Sequence, residues 1–135
     1  MNIKQVVKFI ILSIIIGIVY TFFLGMLVGI LGAFLVDMKV SLPMMSLVEQ
    51  FLLVLIIIPA IATSASLVYK KAPAMKEYIA KIALTNTLVT LVISALSLIA
   101  ISSSPDFYSK VVFMVVDLIL TYVATVYFVK KYSNQ

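Results

Sequence analysis

Asp117 is the residue best placed to do chemistry. It stands inside the apolar run Val111–Val129, about 18 Å from the end at Val129 if the run is helical. A carboxyl group at mid-bilayer costs about 2.5–3.5 kcal/mol to insert. Such a group is expected to face a bundle interior, find a partner and favour its neutral, protonated form. Two roles fit it. One is coupling to protons or cations; the other is a protonated hydrogen bond that locks a neighbouring helix or subunit in place.

Counting the same depth along the other apolar runs brings up Tyr20, Thr21 and Ser94 as partners. Pro59 adds a fourth, because a mid-helix proline has no amide donor and frees the carbonyl four residues earlier, here that of Leu55. Tyr20, Thr21, the Leu55 carbonyl, Ser94 and Asp117 are therefore expected to form a polar layer. Stripes of polar residues extend from it. Asn86, Thr90, Ser94 and Ser97 fall on one helical face, as do Asp117, Thr121 and Thr125. They serve either as interhelical hydrogen bonds, about 0.6 kcal/mol each in a membrane, or as a narrow path for a proton, small cation or polar solute.

A third pattern concerns association rather than reaction. Ser13, Gly17, Thr21, Gly25, Gly29 and Ala33 recur every four residues, with Gly25 and Gly29 forming a GxxxG. Small residues let membrane helices approach closely. The row turns about 40° per step on a 3.6-residue helix, so one stretch is expected to face inward and another a partner.

Weaker signals have structural explanations at hand. Ser46 and Glu49 match a capping box at the start of the second span, with a cation vestibule at Glu49 and Gln50 as the alternative. Met44 and Met45 read as adaptable packing rather than a soft-metal site. Tyr69, Tyr78, Tyr108, Tyr127 and Tyr132 lie near span ends, where they would anchor at the interface.

The elements that must position these groups follow from composition. The chain has 135 residues, 64% of them hydrophobic and 11% charged, against about 25% charged in a soluble domain. Polar surface is too scarce to wrap a water-soluble particle. Four segments are long enough for a core of about 30 Å, with spans of about 9–36, 47–69, 78–101 and 107–129. The first apolar run, Phe9–Val36, would extend about 42 Å as a straight helix, so it is expected to tilt, protrude or break in its glycine-rich half. It is too long for a signal-peptide core and is kept in the mature protein. Pro73 and Pro105 suit first helical turns, with Ser104 and Asp106 flanking the latter. Short loops predict sequential antiparallel neighbours. The expected fold is all-α, a single four-helix transmembrane domain over residues 1–135 with up-down topology.

Eight of the ten basic residues, all lysines, fall on one side of this arrangement, and only Lys39 and Lys110 fall on the other. The positive-inside rule puts both termini and the 70–77 loop in the cytoplasm, and the chain is assigned to a plasma membrane. The lysines around residues 70–81 act as topology determinants, with an anionic-lipid site as the alternative. Their placement also accounts for the net charge of +5 without a nucleic-acid partner.

Cys, His, Trp and Arg are all absent. That excludes disulfides and thiolate metal sites, and removes the commonest metal ligand and general base. No nucleophile–base or metal constellation is assembled, so neither an enzyme nor a cofactor is expected. The partners expected are the lipid bilayer and other membrane subunits or further copies of the chain. The reading is a non-catalytic subunit or accessory component of a membrane complex; the alternative is a small oligomeric transporter or channel coupled to protons or cations through Asp117.

Overall fold

The computed structural model describes residues 2–39, 41–100 and 107–134, and for 42, 43, 45 and 46 the backbone alone. The fold is all-α: α1 (Ile3–Asp37), α2 (Leu42–Leu55), α3 (Ile57–Tyr69), α4 (Lys76–Ala100) and α5 (Phe107–Ser133). Among the described residues, four helical spans, of 35, 23, 25 and 27 residues, are long and apolar enough to cross a membrane.

α1 starts well before its apolar run, capped by the Asn2 side chain, which accepts from the Gln5 amide at 3.3 Å. It does not break in its glycine-rich half, and no glycine takes a positive φ. A glycine in a helix costs about 1 kcal/mol, whereas an unsatisfied backbone group in hydrocarbon costs several, so the helix continues. It closes where Met38 N–H reaches the Phe34 carbonyl at 3.0 Å and Lys39 turns left-handed at φ 58°.

The second span begins earlier than the Ser46–Glu49 spacing suggested. α2 starts at Leu42 after Ser41, with Pro43 in its first turn, where the ring's fixed φ is pre-organised for a helix. Ser46 therefore lies a turn inside; its side chain and that of Met45 lie outside the described residues, as do Ser104, Pro105 and Asp106. α2 and α3 are two parts of one span. Ile56 between them keeps helical dihedrals (φ −61°, ψ −27°), and its carbonyl accepts from Ala60 N–H at 3.1 Å. Pro59 has no amide hydrogen for the Leu55 carbonyl, and Ile56 N–H meets the Val54 carbonyl in place of the regular ladder.

Packing departs from sequential order. The extensive helix pairs are α1 with α3, α3 with α5 and α4 with α5, so α5 lies between α3 and α4. The pair α1–α3 is antiparallel, tied by Tyr20 to Thr63 at 3.0 Å and by Gln5 Nε2 donating to the Ala72 carbonyl. The pair α4–α5 is also antiparallel: Asn86 Nδ2 donates to Thr125 Oγ1, and Ala74 N–H to Ser133 Oγ, both at 3.0 Å. α3 and α5 run parallel. Both carry small buried residues, Ala60, Ser64 and Ala65 on one and Thr121, Ala124 and Thr125 on the other, which permit close backbone approach. A short 70–75 connection constrains only the helix ends and leaves room for this order.

The core gathers at one end of the bundle, that of Ile3, Tyr69, Lys76 and Ser133, here called the terminal end. Phe9, Tyr69, Ile82 and Val129 are its buried centre, with Phe9 and Tyr69 edge to face at 5.4 Å. Tyr69 is thus a core residue rather than an interfacial anchor. Tyr78, Tyr127 and Tyr132 lie at the helix ends, with lysine ammonium groups 5.4–6.0 Å from their rings. Toward the far end packing thins. Among the described residues, α1 has no buried side chain beyond Ile10, α4 none beyond Asn86 and α5 none before Thr121. Phe22 is 70% exposed and Leu96 64%, an apolar surface suited to lipid.

Candidate functional site

Asp117 sits where the packed end gives way to the open one, a single turn from the buried Thr121. Two cavities meet at it. One, of about 440 Å³, lies toward the far end and takes in Gln50, Ser94, Ser97, Lys110 and Phe113. The other, of about 380 Å³, lies toward the core and takes in Ser13, Gly17, Thr21, Asn86, Thr90 and Thr121. Asp117, Ser94, Ile93 and Leu53 line both. Asp117 is half-buried, and its Oδ1 is buried without a hydrogen-bond partner among the described residues.

The helices supply this lining at regular intervals. Asn86, Thr90 and Ser94 fall on one face of α4, Asp117 and Thr121 on one face of α5, and Ser13, Gly17 and Thr21 on one face of α1. Of the residues expected in a layer with Asp117, Thr21 and Ser94 share its cavities, but neither hydrogen-bonds to it. Tyr20 is directed elsewhere: its hydroxyl meets Thr63 Oγ1 at 3.0 Å, while Thr63 donates to the Pro59 carbonyl at 2.8 Å. Leu55 and Pro59 line neither cavity.

The polar stripes make one interhelical bond among the described residues, Asn86 to Thr125. Apart from that of Ser94, their other hydroxyls turn back on their own helices. Thr90 donates to the Asn86 carbonyl at 2.9 Å, Ser97 to Ile93 at 3.1 Å, Thr121 to Asp117 at 2.8 Å and Thr125 to Thr121 at 2.6 Å. On α1, Ser13 donates to Phe9 at 2.9 Å and Thr21 to Gly17 at 2.7 Å. A hydroxyl proton committed to the backbone leaves only lone pairs for any other partner. The core-side cavity is thus lined chiefly by hydrogen-bond acceptors, while the far-end one also carries donors in the Gln50 amide and the Lys110 ammonium.

Gln50 belongs to this site, and sequence reasoning placed it at the interface instead. Its Oε1 is buried without a partner among the described residues, on the side of α2 that faces Asp117. The signal was its four-residue separation from Val54, a buried residue of α2. Glu49 parts company with it, lining a separate cavity of about 650 Å³ with Val28, Gly32 and Leu52.

The small-residue row divides along α1. A Cβ on Gly17 would stand 3.9 Å from Ala60 Cβ, so this glycine faces α3, whereas Cβ atoms on Gly25, Gly29 or Gly32 would meet nothing within 4 Å. Ala33 is exposed. No group of three or more His, Cys, Asp or Glu side chains suited to a metal ion occurs among the described residues. Comparison with known protein families, curated proteins and solved structures found no match.

Proposed function

We propose that the chain is a non-catalytic component of a membrane complex, held to its partners through the far half of α1. The observation that carries this reading is the glycine face at Gly25 and Gly29, uncontacted among the described residues, on a helix that stays unbroken for 35 residues. A close-packing face with no helix against it suits a partner helix from another subunit or a second copy of the chain. The lysine distribution supports cytoplasmic termini. Purification in mild detergent tests this. A defined complex, lost when Gly25→Leu and Gly29→Leu are introduced together, is the expected result; an unchanged monomer in both preparations overturns it.

A second reading, a small transporter or channel coupled to protons or cations, is favoured by Asp117 Oδ1 lying without a partner among the described residues where two cavities meet. In it, Asp117 is the coupling group, with Ser94, Thr90, Asn86 and Thr21 along the route. Asp117→Asn keeps the size of the side chain and removes its titratable proton. Loss of cation-driven proton movement in liposomes containing this variant is expected, and full retention overturns the reading.

A further inference from the structure

We propose that the far-end cavity beside Asp117 binds an amphiphilic ammonium ion, a protonated primary amine carried on an apolar body. The site is that of the transport reading, on which the proposal rests for its location. Binding, however, is required whether or not the ligand moves, so a binding measurement separates the two.

The hydrogen-bonding sense of the cavity selects the head group. Asp117 Oδ1 and Gln50 Oε1 are both buried acceptors without partners among the described residues, one on α5 and one on α2, and they border the same space. Ser97 on α4 adds lone pairs, because its proton is committed to the Ile93 carbonyl at 3.1 Å. Three helices therefore present acceptors to one volume. A group that fits must donate several hydrogen bonds, and an ammonium carries three donors and no acceptor. It also carries the charge that an ionised carboxylate needs within a bilayer. Lys110 borders the same space, its backbone two turns along α5 from Asp117, about 10 Å by helical rise, and the two form no ion pair among the described residues.

The remaining lining selects the body. Leu53, Val54, Ile93, Leu98 and Met114 are apolar, and Phe113 adds an aromatic ring, a group that attracts cations. About 440 Å³ lies within the range of small-molecule sites built from apolar walls and a few placed polar groups.

The test is equilibrium dialysis of tritiated n-octylammonium against the purified chain in phosphatidylcholine nanodiscs, with empty nanodiscs subtracted. One saturable site per chain is expected, unaffected by octanol or octanoate at equal concentration. Asp117→Asn is expected to weaken binding by about tenfold or more, the loss of one charge-assisted hydrogen bond; Gln50→Leu is expected to weaken it less, with thermal unfolding in detergent unchanged. Uptake no greater than in empty nanodiscs overturns the proposal, as does equal competition by octanol. Displacement by equimolar sodium or potassium, which would mark an inorganic cation site, also overturns it. The competition arms use the unaltered chain and stand even if a variant fails to fold. Saturable binding without proton or ammonium flux in liposomes would sink the transport reading and leave this one intact.

Discussion

Asn86 on α4 and Thr125 on α5 join side chain to side chain at 3.0 Å, both of them buried, and Thr125 passes its own proton to the Thr121 carbonyl at 2.6 Å. The relay ties the third span to the fourth at the edge of the core. Thr125→Val keeps the shape but leaves the Asn86 amide without its acceptor. We expect a loss of about 0.6–1.7 kcal/mol, the range of interhelical hydrogen bonds in membranes. Asn86→Leu in the Thr125→Val background is expected to recover part of it. A double-mutant cycle by detergent unfolding measures the coupling, and additive effects would show that the bond contributes nothing.

The concentration of packing at the terminal end predicts a gradient of mutational sensitivity. Phe9→Ala is expected to cost about 3–5 kcal/mol, as for a fully buried aromatic side chain. Phe34→Ala removes a side chain that is 63% exposed and is expected to change unfolding of the isolated chain by less than about 0.5 kcal/mol. Comparable losses at the two sites, read from chemical unfolding in micelles, would contradict the observed asymmetry.

Gly17 and Gly29 are expected to respond differently to the same replacement. At Gly17 an added methyl group meets Ala60 at ordinary contact distance, 3.9 Å, so Gly17→Ala is tolerated and gains up to about 1 kcal/mol in helix propensity. Gly17→Leu forces α1 from α3 and destabilises the chain. Gly29→Leu has open space and leaves the isolated chain intact while disturbing association. Unfolding midpoints and sedimentation of the three variants distinguish these outcomes.

Asp117 is expected to lower stability where it stands. A buried oxygen without a partner costs about 1–3 kcal/mol, so Asp117→Leu should raise the unfolding midpoint in detergent. Activity and ammonium binding are expected to fall in the same variant, the pattern of a group retained for function at the expense of stability. A destabilised Asp117→Leu chain would instead mark Asp117 as a packing lock.

The spans were legible because uninterrupted apolar runs of about twenty residues admit few other readings, and Asp117 stood out because nothing around it is charged. Neighbour relations were not legible. Matching depth from the helix ends brought Thr21 and Ser94 to the same cavities as Asp117, but depth says nothing of rotation, and Tyr20 turns instead to Thr63. The Leu55 carbonyl fails for the same reason. Gln50 was obscured by Ser46 and Glu49, whose capping pattern drew the helix start a turn too late. Loop length gave α3 and α4 as neighbours, yet the small faces of α3 and α5 and the Asn86–Thr125 bond set the order.

A bundle gripped at one end and loose at the other behaves as a set of cantilevers. The 27 residues of α1 from Ile11 to Asp37 project past its last buried side chain, about 40 Å of lever arm by helical rise. A 10° tilt at Phe9 then sweeps the tip through about 7 Å by the same helical rise, with little disturbance where the rods are clamped. Motions that widen or narrow the space around Asp117 would therefore leave the clamp almost still, and labels at Val36 and Leu96 would report them while labels at Val6 and Val129 stayed quiet.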